Sequence, residues 1–183
     1  MMNGVGDKFP EFELNGVSGH MGNLDPDWKD ADHDFIKVSS WDLSDWSVIY
    51  FYPKDFTFIC PTEIVGMDSL LQETDEVFGI SPDNEWCKWN WKTGDEHAEL
   101  YGVAHALLAD CNNVLAEELG IVSDEGVPYR TTYIVDPDGY IQHISVNALN
   151  TGRNANEVLR TLQALKAGGL TGCEWNPGDD FVA

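Results

Sequence analysis

The chain has 183 residues, with 32 Asp and Glu against 10 Lys and Arg, a formal charge of −22. That length suits one domain with a sizeable core, and a hydrophobic fraction of 43% lies just below the roughly 45–50% usual for globular chains, which argues against disorder. So acidic a chain lacks the clustered cations that bind a nucleic-acid backbone or an anionic membrane surface.

No apolar run approaches the roughly 18 residues that span a bilayer; the clearest, Val48 to Tyr52, is strand-sized. The start, Met1 to Asp7, has neither the basic nor the apolar segment of a secretory signal. The expectation is a soluble, cytoplasmic protein that binds neither nucleic acid nor membrane. Residues 1–35 are turn-rich and acidic, with short extended pieces around Phe9 to Leu14. Asp30, Asp32 and Asp34 match the first alternate positions of a calcium loop, but the sixth position is Phe35 and the twelfth is Trp41. Gly and Glu are needed there, so Asp25 to Asp34 reads as a solvated acidic loop.

From Phe35 onward strands and helices alternate. Phe35 to Val38 and Val48 to Tyr52 are rich in β-branched and aromatic residues and read as strands. Pro53 and Pro61 bracket a short connector, and Pro61 suits the first turn of a helix. Ile64, Met67 and Leu71 then recur at helical spacing. Glu76 to Ser81 predicts another strand, and Asn112 to Leu119 a short helix stopped by Gly120. Arg130 to Val135 and Tyr140 to Val146 flank Asp136-Pro137-Asp138-Gly139, a turn signal that makes them a hairpin. Asn156 to Lys166 places Val158, Leu159, Leu162 and Leu165 on one helical face, ending at Gly168-Gly169. Alternation followed by a hairpin and a helix implies an α/β sandwich with a mixed central sheet flanked by helices.

The four cysteines, Cys60, Cys87, Cys111 and Cys173, include no C-x-x-C pair, so neither a zinc ribbon nor a local redox pair is indicated. In a reducing compartment each is a small buried hydrophobe or a reactive thiol. Cys60 stands directly before Pro61. A thiol there faces the positive end of the helix dipole and unpaired N–H groups, which favour a thiolate. Thr57, three residues earlier, is close enough in a tight turn to donate its hydroxyl to the sulfur or to a bound oxygen. The other reading of Cys60 is a buried cysteine at a helix start. Cys87, among Trp86, Trp89 and Trp91, reads as a packed hydrophobe, and Cys111 between Asp110 and Asn112 as a passive thiol. His20, His33, His97, His105 and His143 have no metal-ligand spacing. No phosphate loop or serine elbow is present.

The segment Tyr52-Pro53-Lys54-Asp55-Phe56-Thr57-Phe58-Ile59-Cys60-Pro61-Thr62-Glu63 resembles the active-site segment of the typical two-cysteine peroxiredoxins, in particular the alkyl hydroperoxide reductase C group. It holds that family's P-x-x-x-T-x-x-C signature as Pro53, Thr57 and Cys60. Trp46, Ser81-Pro82-Asp83, Trp86, Trp91, Arg130, Asp136-Pro137-Asp138-Gly139 and Cys173 match in the same order, so the resemblance covers nearly the whole chain.

The resemblance implies one thioredoxin-like domain over residues 1–183, whose C-terminal segment from about residue 168 carries a resolving cysteine. It implies a peroxidase for hydrogen peroxide and small organic hydroperoxides that needs no cofactor and no metal. Cys60 would be the nucleophile that becomes a sulfenic acid, and Thr57 would hydrogen-bond the peroxide. Arg130 would stabilise the thiolate and the developing oxygen charge, Pro53 would shield the sulfenate, and Glu63 would orient the arginine. Cys173 would resolve Cys60, reaching across from a partner subunit. A flavoprotein, thioredoxin or a small dithiol protein would then reduce the disulfide. The implied assembly is a homodimer, with a decamer as the larger form.

The surroundings of Cys173, Gly172-Cys173-Glu174-Trp175-Asn176-Pro177, depart from the Val-Cys-Pro common in the family. The Gly-Gly-Leu-Gly loop and C-terminal Tyr-Phe helix linked to easy overoxidation are absent, and only ten residues follow Cys173. Resolution of the sulfenic acid is therefore expected to outrun a second oxidation. A holdase-type chaperone and a general thiol–disulfide exchange protein are the alternative readings.

Overall fold

In the computed structural model, which describes residues 3–19 and 34–183, the apolar strand segments pair into a seven-stranded mixed sheet. The strands are β1 Glu13–Val17, β2 Phe35–Ser39, β3 Ser47–Phe51, β4 Val77–Ser81, β5 Ala106–Ala109, β6 Arg130–Val135 and β7 Ile141–Asn147, in the order β2-β1-β5-β4-β3-β6-β7. The helices are α1 Cys60–Met67, α2 Glu85–Thr93, α3 Val114–Glu118 and α4 Ala155–Ala167. Among the described residues no helix is long and apolar enough to cross a membrane.

Strand β3 organises the core because it is buried on both faces, which is why its sequence is a continuous apolar run. Val48 and Tyr50 point into a cluster with Ile64, Met67, Trp91, Leu107, Val158 and Leu162, beneath α1, α2 and α4. Ile49 and Phe51 point the other way, toward Ile80, Leu108, Leu115, Tyr133 and Ile141, covered by α3. β3 runs parallel to β4 and antiparallel to β6. In that register Tyr50 faces Thr132, so the start of β6 lies at the end of β3 where the connector to α1 departs.

The predicted strands from Phe35, Val48, Glu76, Arg130 and Tyr140 and the helices at Pro61 and Asn156 are all present, shifted by a residue at most ends. Leu71 falls in the 3-10 turn Asp68–Gln72 that follows α1, and is half-buried against the same cluster. The predicted helix from Asn112 begins instead at Val114, because Asn112 and Asn113 are left-handed, at φ 69° and 57°, a conformation asparagine tolerates better than most residues. Asp110 caps this start, accepting from the Leu115 and Ala116 amides at 3.0 and 2.9 Å. Strand β5 and helix α2 have no clear sequence signal. β5 has only four residues, two of them alanine, and its strand state comes from burial between β4 and β1. Helix α2 is secured by Asn84, whose side chain accepts from the Cys87 amide at 2.9 Å, and by the burial of Trp91.

Most of the acidic stretch read as a solvated loop, residues 25–33, lies outside the described residues, as do His20 and His33. Its last member, Asp34, is not solvated: it is buried and accepts from Trp89 Nε1 at 2.9 Å. His105 is a packed core histidine. Its Nε2 lies 2.7 Å from the Tyr50 hydroxyl, and its Nδ1 lies 2.5 Å from the Asp68 carboxylate. Burial pushes the His105 imidazole down, so the neutral ring donates from Nδ1 to Asp68 and accepts the Tyr50 proton at Nε2.

Gly79 of β4 makes this trio possible. A Cβ there would stand 2.5 Å from the Tyr50 hydroxyl and 2.8 Å from Leu107 Cδ2. Gly79→Ala is expected to lower stability by about 1–3 kcal/mol through overpacking. A denaturation midpoint equal to that of the wild type would contradict this packing.

Candidate active site

The connector from β3 to α1 carries Pro53 and Thr57, and Cys60 is the first residue of α1. Cys60 has no exposed surface. In the first turn of a helix the amide N–H groups lack intrahelical acceptors, and Pro61 occupies a position where no such donor is needed. Arg130, the first residue of β6, is brought over the sulfur by the β3–β6 register. Its Nη1 donates to Cys60 Sγ at 3.4 Å and to Glu63 Oε2 at 2.5 Å, while its Nε donates to the Leu149 carbonyl at 2.8 Å. Three contacts on one planar group fix the guanidinium, which a lysine could not reproduce.

Glu63 is buried and lies one helical turn after Cys60. Its other oxygen accepts from the Arg153 amide at 3.1 Å and lies 3.6 Å from Arg153 Nε. Arg153 in turn donates from Nη2 to the Phe51 carbonyl at 2.5 Å and rests over the Tyr50 ring, 5.0 Å from its centroid. The site therefore contains a second arginine that no local sequence pattern singles out. The one available signal is that the chain has only three arginines.

Pro53, Thr57, Cys60 and Arg130 line one cleft of about 320 Å³, with Val127 and Glu125 also on its walls. Glu63 sits behind Arg130 rather than in the cleft wall. The Thr57 hydroxyl donates to the Lys54 carbonyl at 3.0 Å, not to the sulfur. The expected donation to the sulfur is therefore not made, and the Thr57 oxygen is left as an acceptor. Cys173 is apart from this cluster. It is exposed, on the segment that follows α4. That segment folds back through Trp175, which is buried, stacks on Phe181 at 6.2 Å and accepts from Arg160 at its carbonyl.

At the other two cysteines burial and neighbouring carboxylates outweigh the pull of Lys88. The half-buried Cys87 thiol is pushed up to about 11 by burial and by the Asp55 and Asp83 carboxylates. Cys111 is raised by partial desolvation and by Glu85. Both are disfavoured as thiolates at neutral pH.

Comparison with known proteins places this geometry in a family. The profile of the AhpC/TSA family matches residues 5–144. An alkyl hydroperoxide reductase C of Mycolicibacterium smegmatis is 39% identical over 97% of this chain and 92% of its own length. Another from Mycobacterium tuberculosis is 36% identical over 96% and 91%. Among solved structures, Mycobacterium tuberculosis AhpC superposes with a TM-score of 0.83 at 34% identity, covering 96% of this chain and all of that one. A reduced 2-Cys peroxiredoxin of Plasmodium vivax gives 0.82 at 28% identity, over 96% and 91% of the two chains. With a thioredoxin-like mixed sheet, a buried helix-start cysteine under an arginine, and relatives matched over nearly their full lengths, the chain belongs to the AhpC/TSA family of peroxiredoxins.

Proposed function

We infer that the protein is a thiol-dependent peroxidase in which Cys60 is the nucleophile. The observation that carries this reading is the Arg130 guanidinium 3.4 Å from the sulfur of a buried cysteine that lines the cleft. Two arginines share one carboxylate there, so the charges of the cluster balance when the sulfur is a thiolate. The thiolate attacks the terminal oxygen of a hydroperoxide. The S–O bond forms, the O–O bond breaks, and the hydroperoxide's own proton passes to the departing oxygen, which leaves as alcohol or water; the sulfenate takes a proton from solvent to become the sulfenic acid. Thr57 receives the hydroperoxyl O–H, and Arg130 holds the charge that grows on the separating oxygens. Pro53 shields the sulfenic acid, and Glu63 keeps Arg130 aimed at it. A cleft of about 320 Å³ accommodates small organic hydroperoxides as well as hydrogen peroxide.

The Cys173 thiol then condenses with the sulfenic acid, releasing water and forming a disulfide. On the family pattern the resolving thiol is supplied by the partner in a homodimer, a reading supported by the exposure of Cys173 on a segment apart from the buried Cys60. An external dithiol reductant restores both thiols by exchange, in the cytoplasm. In this reading residues 1–183 act as one domain, with the segment from about residue 168 as its resolving arm.

The test is one equivalent of peroxide added to reduced protein made from isotopically labelled and unlabelled chains, followed by non-reducing peptide mapping. A Cys60–Cys173 disulfide joining labelled to unlabelled peptide is expected. A disulfide confined to one chain, or one joining Cys60 to Cys87 or Cys111, would overturn the assignment.

A further inference from the structure

Cys60 has no exposed surface, and Cys173 lies exposed elsewhere. On the peroxidase reading above, the sulfur must leave its site before a second thiol can reach it. Residues 52–59, between β3 and α1, are where the chain can open, and the two halves of this connector are held very differently.

Its first half is tied down by a buried ionic network. The Asp55 carboxylate accepts from Ser81 Oγ at 2.9 Å and lies 3.4 and 3.5 Å from Lys88 Nζ. Neither the Asp55 nor the Lys88 side chain has any exposed surface. Lys88 also donates to Ser81 Oγ at 2.5 Å and to the Tyr52 hydroxyl at 3.2 Å. The Asp55 amide donates to Asp83 at 2.8 Å. The connector is thus anchored to the end of β4 and to α2 as far as residue 55. Burying an ammonium in a chain with 10 cations and 32 acids places one of its scarce positive charges where it cannot serve solubility. Such pairs add little net stability, but removing one partner alone leaves a costly buried charge.

The second half is held by little. Phe56 has φ 54°, a strained conformation for an aromatic residue. Its ring is half exposed and packs on Trp91, at 5.6 Å between centroids. Phe58 is 96% exposed. The Thr57 hydroxyl bonds back across Phe56 to the Lys54 carbonyl, and Thr62, in the first turn of α1, bonds to the Ile59 carbonyl.

We propose that the buried Lys88–Asp55 pair is the fixed post of an opening movement hinged at Phe56. Lys88 is thereby a positioning residue that confines opening to the residues from Phe56 onward and sets how often Cys60 is presented for resolution. The pair keeps Pro53 and the β3 end in place while the first turn of α1 unwinds, so the cleft re-forms around the same walls. Relief of the Phe56 strain favours the open form, and the return of Cys60 to Arg130 favours the closed one.

The test uses the full-length reduced protein without peroxide, with maleimide alkylation of Cys60 and hydrogen exchange over residues 53–62. Lys88→Met should raise the Cys60 alkylation rate about tenfold, because the uncompensated Asp55 releases the post. It should also extend rapid exchange back to residues 53–55. Asp55→Asn keeps the hydrogen bond to Ser81 and should shift both readouts less, in the same direction; it decides the matter alone if Lys88→Met does not fold. Alkylation within about twofold of wild type in both variants, or rising only in proportion to lost global stability, would overturn the proposal. A second arm adds peroxide: the ratio of sulfinic acid to disulfide at Cys60 should fall in the variants. Failure of the wild type to form any disulfide would count against the peroxidase reading, whereas the alkylation arm tests the post independently of it.

Discussion

Replacing Cys60 with serine is expected to reduce peroxide consumption by at least about a thousandfold while leaving the fold intact. The substitution removes only the nucleophilic atom. The serine hydroxyl would occupy the same enclosed position in the first turn of α1, within reach of the Arg130 guanidinium that now donates to the sulfur at 3.4 Å, so no buried donor is left without a partner. The measurement is peroxide loss with a dithiol reductant, paired with a thermal unfolding curve. Unchanged consumption in a folded variant would refute the mechanism. The same variant separates enzyme from chaperone: suppression of client aggregation, if present, should survive the substitution.

Arg130→Gln should slow the reaction of Cys60 with peroxide by about 10²–10³-fold, the usual cost of removing one preorganised donor from a developing oxyanion. The variant loses the contact to the sulfur, the 2.5 Å contact to Glu63 and the anchor on the Leu149 carbonyl together. Glu63 keeps Arg153 at 3.6 Å, so the loss of stability should fall below the roughly 3–5 kcal/mol of an abandoned buried charge. Arg130→Lys tells the two effects apart. It returns the charge and should recover most of the unfolding midpoint, but one ammonium cannot reach the sulfur, Glu63 and Leu149 together, so the rate should stay low. Recovery of the full rate by lysine would show that charge alone matters and that the three-point placement of the guanidinium does not. Stopped-flow measurement of sulfenic acid formation supplies the rate without interference from the later steps.

The site is legible in the sequence where its parts are neighbours. Pro53, Thr57 and Cys60 lie within eight residues, and a proline directly after a cysteine announces a helix start with its free amides. Arg130 enters only through family resemblance, since 70 residues separate it from Cys60. The β3–β6 register that unites them leaves no mark on either residue. Arg153 is invisible because its role depends on folding back before α4 to meet Glu63, 90 residues away. Thr57 is recognisable as a member of the site, but the direction of its hydroxyl is not. The carbonyl that takes its proton, Lys54, belongs to a loop whose turn has no sequence signature. Helix α2 escapes detection because three of its nine residues are Trp, a residue of middling helix propensity, and burial supplies what propensity does not.

Local sequence suffices for the alternation of strand and helix, the apolar central strand β3 and a cysteine at a helix start, because each rests on contacts a few residues long: periodicity, capping and turn chemistry. Composition likewise suffices for the acidic balance of 32 to 10. Which scarce cations serve the site is settled only in the folded chain. Arg130 and Arg153 converge on Glu63, and Lys88 is sealed against Asp55 beneath the connector. A buried charge is tolerated only opposite its partner. Those partners are chosen by strand register and helix packing across 33 to 90 residues of chain, distances over which no local pattern carries information.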